Sequence, residues 1–107
     1  MLLSHAVHAV AIVALRCTSP RRAVRIVGRL GRLLPPLSQD EAVRVGRRLR
    51  FGTCLSRSVA ICTRVRGATV AVGVEPRPEF SAHAWVEVEG APMDPREVPL
   101  PVLARFA

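Results

Sequence analysis

Gly67 divides this sequence into two parts that cannot share one kind of secondary structure. Before it, from residue 20, apolar residues recur every three or four positions; after it, at 68–74 and 82–88, they alternate with other residues. The first spacing keeps one face of a helix apolar and the second keeps one face of a strand apolar. The chain is therefore read as helices followed by sheet. This gives an α+β fold, with N-terminal helices and a cysteine-bearing helix packed on a small antiparallel β-sheet of three or four strands. With 107 residues there is material for one core, hence a single domain with an Arg-rich helical part at 1–50 and the cysteine helix and sheet at 51–107.

Local signals set the expected boundaries. Residues 2–15 are apolar apart from Ser4, His5 and His8 and read as a first, docked helix. Ser19-Pro20 opens a second helix to about residue 34, ended by Pro35-Pro36. Ser38 followed by Glu41 is a capping box and starts a third helix to about Arg50. Thr53 is an N-cap, so Cys54 falls in the first turn of a fourth helix that Gly67 stops. Strands are expected at 68–74 and 82–88, separated by the two-proline loop Glu75-Pro76-Arg77-Pro78-Glu79. Glu89-Gly90 reads as a two-residue hairpin turn, although Glu is not a favoured residue there. Residues 99–107 carry too little pattern for assignment.

The formal charge of +8 is confined to one part of the chain. Residues 1–50 hold ten Arg against Asp40 and Glu41, whereas six Arg and six acids balance in residues 51–107. All sixteen basic residues are Arg, which fits a GC-rich genome of the actinobacterial kind better than a nucleic-acid surface; no stacking aromatics or binding module accompany them. No nucleic-acid partner is expected. Three cysteines, an odd number without a C-x-x-C, argue for a reducing, cytoplasmic setting, and no metal or other cofactor is expected. The apolar run 2–15 falls short of the roughly 20 residues a bilayer span needs, so no transmembrane segment is expected. A membrane-surface role for it is the minority reading.

Cys54, His83 and Asp94 are the candidate catalytic set. A cysteine in a helix's first turn faces unpaired backbone N–H groups and the positive end of the macrodipole, both of which favour a thiolate. Its own backbone N–H is a natural oxyanion donor. His83 shares a strand face with Trp85 and Glu87. The Glu89-Gly90 turn would place Asp94 opposite Trp85 and diagonal to His83, and diagonal neighbours lie about 7–8 Å apart. Trp85 is a candidate cleft wall and Arg57 a candidate substrate or thiolate contact, with Glu87 as an alternative orienter. Each residue taken alone has a quieter reading: a buried cysteine, a strand histidine, a turn residue before Pro95.

The run Cys54-Leu55-Ser56-Arg57-Ser58-Val59-Ala60, then Val72-Gly73-Val74, then Ala82-His83-Ala84-Trp85-Val86-Glu87 and a hairpin reaching Asp94, resembles the leader peptidase of lasso-peptide biosynthesis. That family is a compact relative of the transglutaminase-like, papain-like cysteine hydrolases. The resemblance is close over residues 50–94 and general in the Arg-rich helices before them. It implies a Cys-His-Asp triad at Cys54, His83 and Asp94, and a ribosomally made precursor peptide whose leader is cut from its core. A cyclase would then join the freed amine to a side-chain carboxyl. Single-chain relatives carry an upstream leader-recognition domain, so the resemblance implies the split form, with a separate leader-recognition protein and the lasso cyclase as partners. The competing expectations are acyl transfer of the transglutaminase type and a non-enzymatic Arg-rich adaptor binding nucleic acid or an acidic protein.

Overall fold

The computed structural model describes residues 2–49, 52–75 and 81–107. Within them the chain runs α1 (Leu2–Cys17), α2 (Pro20–Gly31), α3 (Gln39–Arg48), α4 (Cys54–Cys62), β1 (Ala68–Glu75), β2 (Ser81–Val88), β3 (Ala91–Pro92) and β4 (Val102–Phe106). The N-terminal caps fall where the sequence puts them, but two helices end early: α2 stops at Gly31, short of residue 34, and α4 stops at Cys62 with Thr63 as its C-cap, so Gly67 ends the following turn and not the helix. Ser19 accepts the Arg22 N–H with Pro20 at the first helical position, and Ser38 accepts the Glu41 N–H. The Ser38 box is only half formed, because the Glu41 carboxylate takes the Ser38 hydroxyl instead of the backbone N–H. α3 ends at Arg48, slightly before the expected Arg50, because Leu49 is already extended (φ −77°, ψ 104°). Most of the two-proline loop, from Pro76 on, lies outside the described residues.

The four strands form one antiparallel sheet in the order β3-β2-β1-β4. β2 and β3 are joined by Glu89-Gly90, both at positive φ (54° and 80°), the backbone a tight hairpin requires. Glu89 adopts it despite its side chain. Pairing of Val88 with Ala91 and Glu87 with Pro92 fixes the expected register, and the Met93 N–H extends it to the Val86 carbonyl at 2.9 Å.

α4 is the centre of the molecule. It packs against α1 on one side and β1 and β2 on the other. Val59 is fully buried and Ala60, Ile61 and Cys62 nearly so. Val7, Ala11 and Ala14 of α1, Val24 and Val27 of α2, and Val70, Ala84 and Val86 of the sheet complete the core. A fully buried valine contributes about 1.5–3 kcal/mol, so this core of small aliphatic residues depends on many close contacts. Two polar ties also bind α1 to α4 and the turn beyond it. His8 Nε2 meets Ser56 Oγ at 2.9 Å, and Arg64 Nη1 donates to Ser4 Oγ at 3.1 Å. Arg64 also donates to the Pro35 carbonyl, fixing the end of the α2 region.

The opposite face of the sheet is closed by Trp85. A Cβ on Gly73 would lie 2.6 Å from the Trp85 ring and 2.9 Å from Leu100 Cβ, so the ring packs against a strand position that admits no side chain. The indole N–H donates to buried Glu87, whose other oxygen accepts from Arg105 Nε of β4 at 2.8 Å. Glu87 is thus engaged under the tryptophan and is not on His83.

Candidate active site

Cys54 owes its position to the start of α4. Thr53 and Ser56 cap that helix reciprocally: Thr53 Oγ1 accepts the Ser56 N–H at 3.1 Å, and Ser56 Oγ accepts the Thr53 N–H at 2.9 Å. The Ser56 hydroxyl donates to the Thr53 carbonyl and takes its remaining contact from His8, so every polar valence of the serine is used. The Cys54 N–H has no partner among the described residues and stays available at the helix start. Gly52, at φ 76°, makes room for this arrangement, because a Cβ there would lie 2.4 Å from Ser56 Oγ and 2.9 Å from His8 Nε2.

The sheet delivers the histidine. Cys54 Sγ accepts the N–H of Ala84, the residue after His83, at 3.4 Å. Cys54 and His83 line one cleft of about 200 Å³. α3 contributes Ala42, Val43, Gly46 and Arg47 to its wall, and α4 adds Arg57, Ser58 and Ile61. Trp85, Met93, Asp94 and Glu97 complete it. His83 is half-buried and stacks on Trp85, with ring centroids 6.0 Å apart at 26°. Trp85 therefore both closes the sheet and supports the imidazole.

The hairpin register puts Asp94 opposite Trp85, in the same cleft as His83, but its carboxylate is occupied elsewhere. Asp94 Oδ1 accepts from Arg47 Nη2 at 3.0 Å and from the Arg96 N–H at 2.9 Å. The carboxylate on His83 Nε2 is that of Glu97. The reason is local: Asp94-Pro95-Arg96-Glu97 is a turn with Pro at its second position, Asp folding back on the backbone at its first, and the Glu97 N–H bonded to the Asp94 carbonyl at 3.0 Å. This turn reverses the chain and returns Glu97 to the imidazole. Burial pushes the Asp94 carboxyl up, but the Arg96 N–H and the Arg47 guanidinium outweigh it and hold the group below its ordinary value. Glu97 was not singled out in the sequence; the Asp-Pro turn is the signal that could have found it.

The remaining cysteines separate by environment. Cys62 is buried, its thiol donates to the Ala68 carbonyl at 3.3 Å, and burial pushes it up to about 11; Cys17 is exposed. Burial, then the charge of Arg57, then that of His5, holds His8 below its ordinary value and keeps it neutral beside Ser56. Among the described residues no group of three or more His, Cys, Asp or Glu side chains could hold a metal ion, and no helix is long and apolar enough to cross a membrane.

A thiol at a helix start, an imidazole on the adjacent strand and a carboxylate behind it can perform nucleophilic acyl chemistry. No curated protein and no solved structure matches the chain. The family model of the transglutaminase-like superfamily, which includes cysteine peptidases and acyltransferases, matches residues 3–103. Spanning nearly every element described above, that match places the chain in the transglutaminase-like superfamily.

Proposed function

We propose that this protein is a cysteine peptidase that removes the leader from a ribosomally synthesised lasso-type precursor. The observation that carries the reading is the hydrogen bond from the Ala84 N–H to Cys54 Sγ, which locks the helix start against the histidine strand at the mouth of one cleft. The joint occurrence of the Cys54 and Ala82-His83-Ala84-Trp85 motifs supports the substrate class.

In this mechanism Cys54 Sγ attacks the carbonyl carbon at the leader–core junction while His83 takes the thiol proton. The Cys54 N–H, left open by the capping box, stabilises the oxyanion. His83 returns the proton to the departing amine of the core, leaving the leader as a thioester. Water then attacks the thioester, His83 removes its proton, and the thiol is restored as the leader leaves with a free carboxyl group. A carboxylate holds the imidazole in the required tautomer. Glu97 occupies that role in the conformation described, and Asp94 stands beside it as the second carboxylate of the set. Arg57 and Trp85 contact the peptide from the cleft wall. A separate leader-recognition protein supplies the precursor, and the cyclase receives the freed core.

The test is mass spectrometry of a lasso-type precursor incubated with the native chain or Cys54→Ala, each with and without the recognition protein. Leader release by the native chain, lowered roughly 10³-fold or more in the variant, is the expected result. Equal processing by both would overturn the assignment. Superfamily membership favours a second reading, amine transfer to the same thioester. Supplying a small primary amine separates the two, because transfer yields a leader amide where hydrolysis yields only the acid.

A further inference from the structure

α1 is apolar on two sides. Val7, Ala11 and Ala14 are buried in the core. Leu3, Ala6, Val10, Val13 and Cys17 recur at heptad spacing on another side and are all exposed, Val13 by 60%. Between this seam and α2 runs a groove of about 460 Å³, closed on the α2 side by Ile26, whose walls present only apolar atoms. It shares no residue with the active-site cleft. Arg22 and Arg29 stand four positions before and three after Ile26, on the same face of α2. Both are exposed, and among the described residues neither pairs with a carboxylate. Residues 2–38 contain six Arg and no Asp or Glu.

We infer that this groove docks an amphipathic helix of an acidic protein partner, with its apolar ridge along the α1 seam and its carboxylates on Arg22 and Arg29. Charge decides against a second copy of this chain, which would bring six more arginines to the same face. Shape and polarity decide against a bilayer. The site is concave, and α1 lacks the Lys/Arg-rich face of an interfacial helix, its polar Ser4 and His8 being buried in the core. A helix laid in an apolar groove, read by anchors one turn apart and fixed by flanking charges, satisfies both features. The inference does not depend on the peptidase reading.

The experiment is a titration of the ¹⁵N-labelled full chain with a synthetic amphipathic helical peptide of about four turns. It carries Leu along one face and Glu on the flanks, and the control has Lys in place of Glu. Amide shifts confined to α1 and α2, seen with the Glu peptide and not the Lys peptide, are expected. Val13→Asp, at an exposed site, should weaken binding roughly tenfold or more. The double variant Arg22→Glu/Arg29→Glu should exchange the preference so that the Lys peptide binds, an outcome misfolding cannot produce. Absence of shifts at millimolar peptide, or equal binding of both peptides, overturns the inference. So does a dimer dissociated by Val13→Asp, which would give the groove to a second copy. Binding to phosphatidylglycerol vesicles without peptide binding would give it to a membrane.

Discussion

Arg47 Nη2 lies 3.0 Å from Asp94 Oδ1, joining α3 to the turn that follows the hairpin. Both side chains are partly exposed, and such a pair contributes at most about 1 kcal/mol. Asp94 therefore organises the turn more than it holds the fold, and Glu97 is the carboxylate on the imidazole. Glu97→Gln is expected to lower the rate of precursor cleavage by on the order of 10²–10⁴-fold, the cost of a misoriented imidazole. Asp94→Asn should stay within roughly tenfold of the native chain. Parallel single-turnover assays check both, and the reverse ranking would make Asp94 the orienter, released from Arg47 during turnover.

Gly73 lies under the Trp85 ring, and Trp85 lies against His83. Gly73→Ala is expected to displace the ring and cost about 1–3 kcal/mol by overpacking. Denaturant unfolding measures the loss. A shift in the His83 imidazole NMR signals would show that the displacement reaches the site.

His8 provides a pH signature. Its folded-state value is lowered, so the unfolded chain binds the proton more readily. Its contribution to stability is fully present above the ordinary histidine value of about 6.5 and is lost as pH falls below it. Thermal unfolding of the native chain should weaken through this window. His8→Gln, whose amide can still donate to Ser56, should flatten that part of the profile. His8→Ala should cost about 1–3 kcal/mol at neutral pH by leaving Ser56 short of a partner.

The thiols should differ in reactivity. Cys62 is buried with its thiol pushed up to about 11, while Cys54 borders the cleft and Cys17 is exposed. Brief treatment with iodoacetamide at neutral pH, followed by peptide mapping, is expected to label Cys54 and Cys17 and leave Cys62 unmodified. Labelling of Cys62 at a comparable rate would contradict the packing described for α4.

Most of the fold could be read before any coordinates. Ser19, Ser38 and Thr53 are side-chain caps whose effect is local, and the strand after Gly67 and the hairpin at Glu89-Gly90 follow from alternation and turn chemistry. The strand β4 could not. Val102 and Leu103 are both exposed on an edge, so no inside-outside alternation marks them, and the strand exists because β1 supplies its partner. The site divides in the same way. Cys54 and His83 carry motifs, whereas the partners of Asp94 and Glu97 depend on a turn that points one carboxylate at α3 and the other at the sheet. The His8–Ser56 contact spans 48 positions, and no local pattern announces it.

That span also has a consequence in time. Ribosomes add on the order of 5–20 residues per second, so α1, which ends at Cys17, is complete roughly 2–8 s before Ser56 has even been synthesised. Throughout that interval a helix apolar on two sides lacks the element that buries one of them, which marks nascent α1 as the segment of this chain most in need of a chaperone.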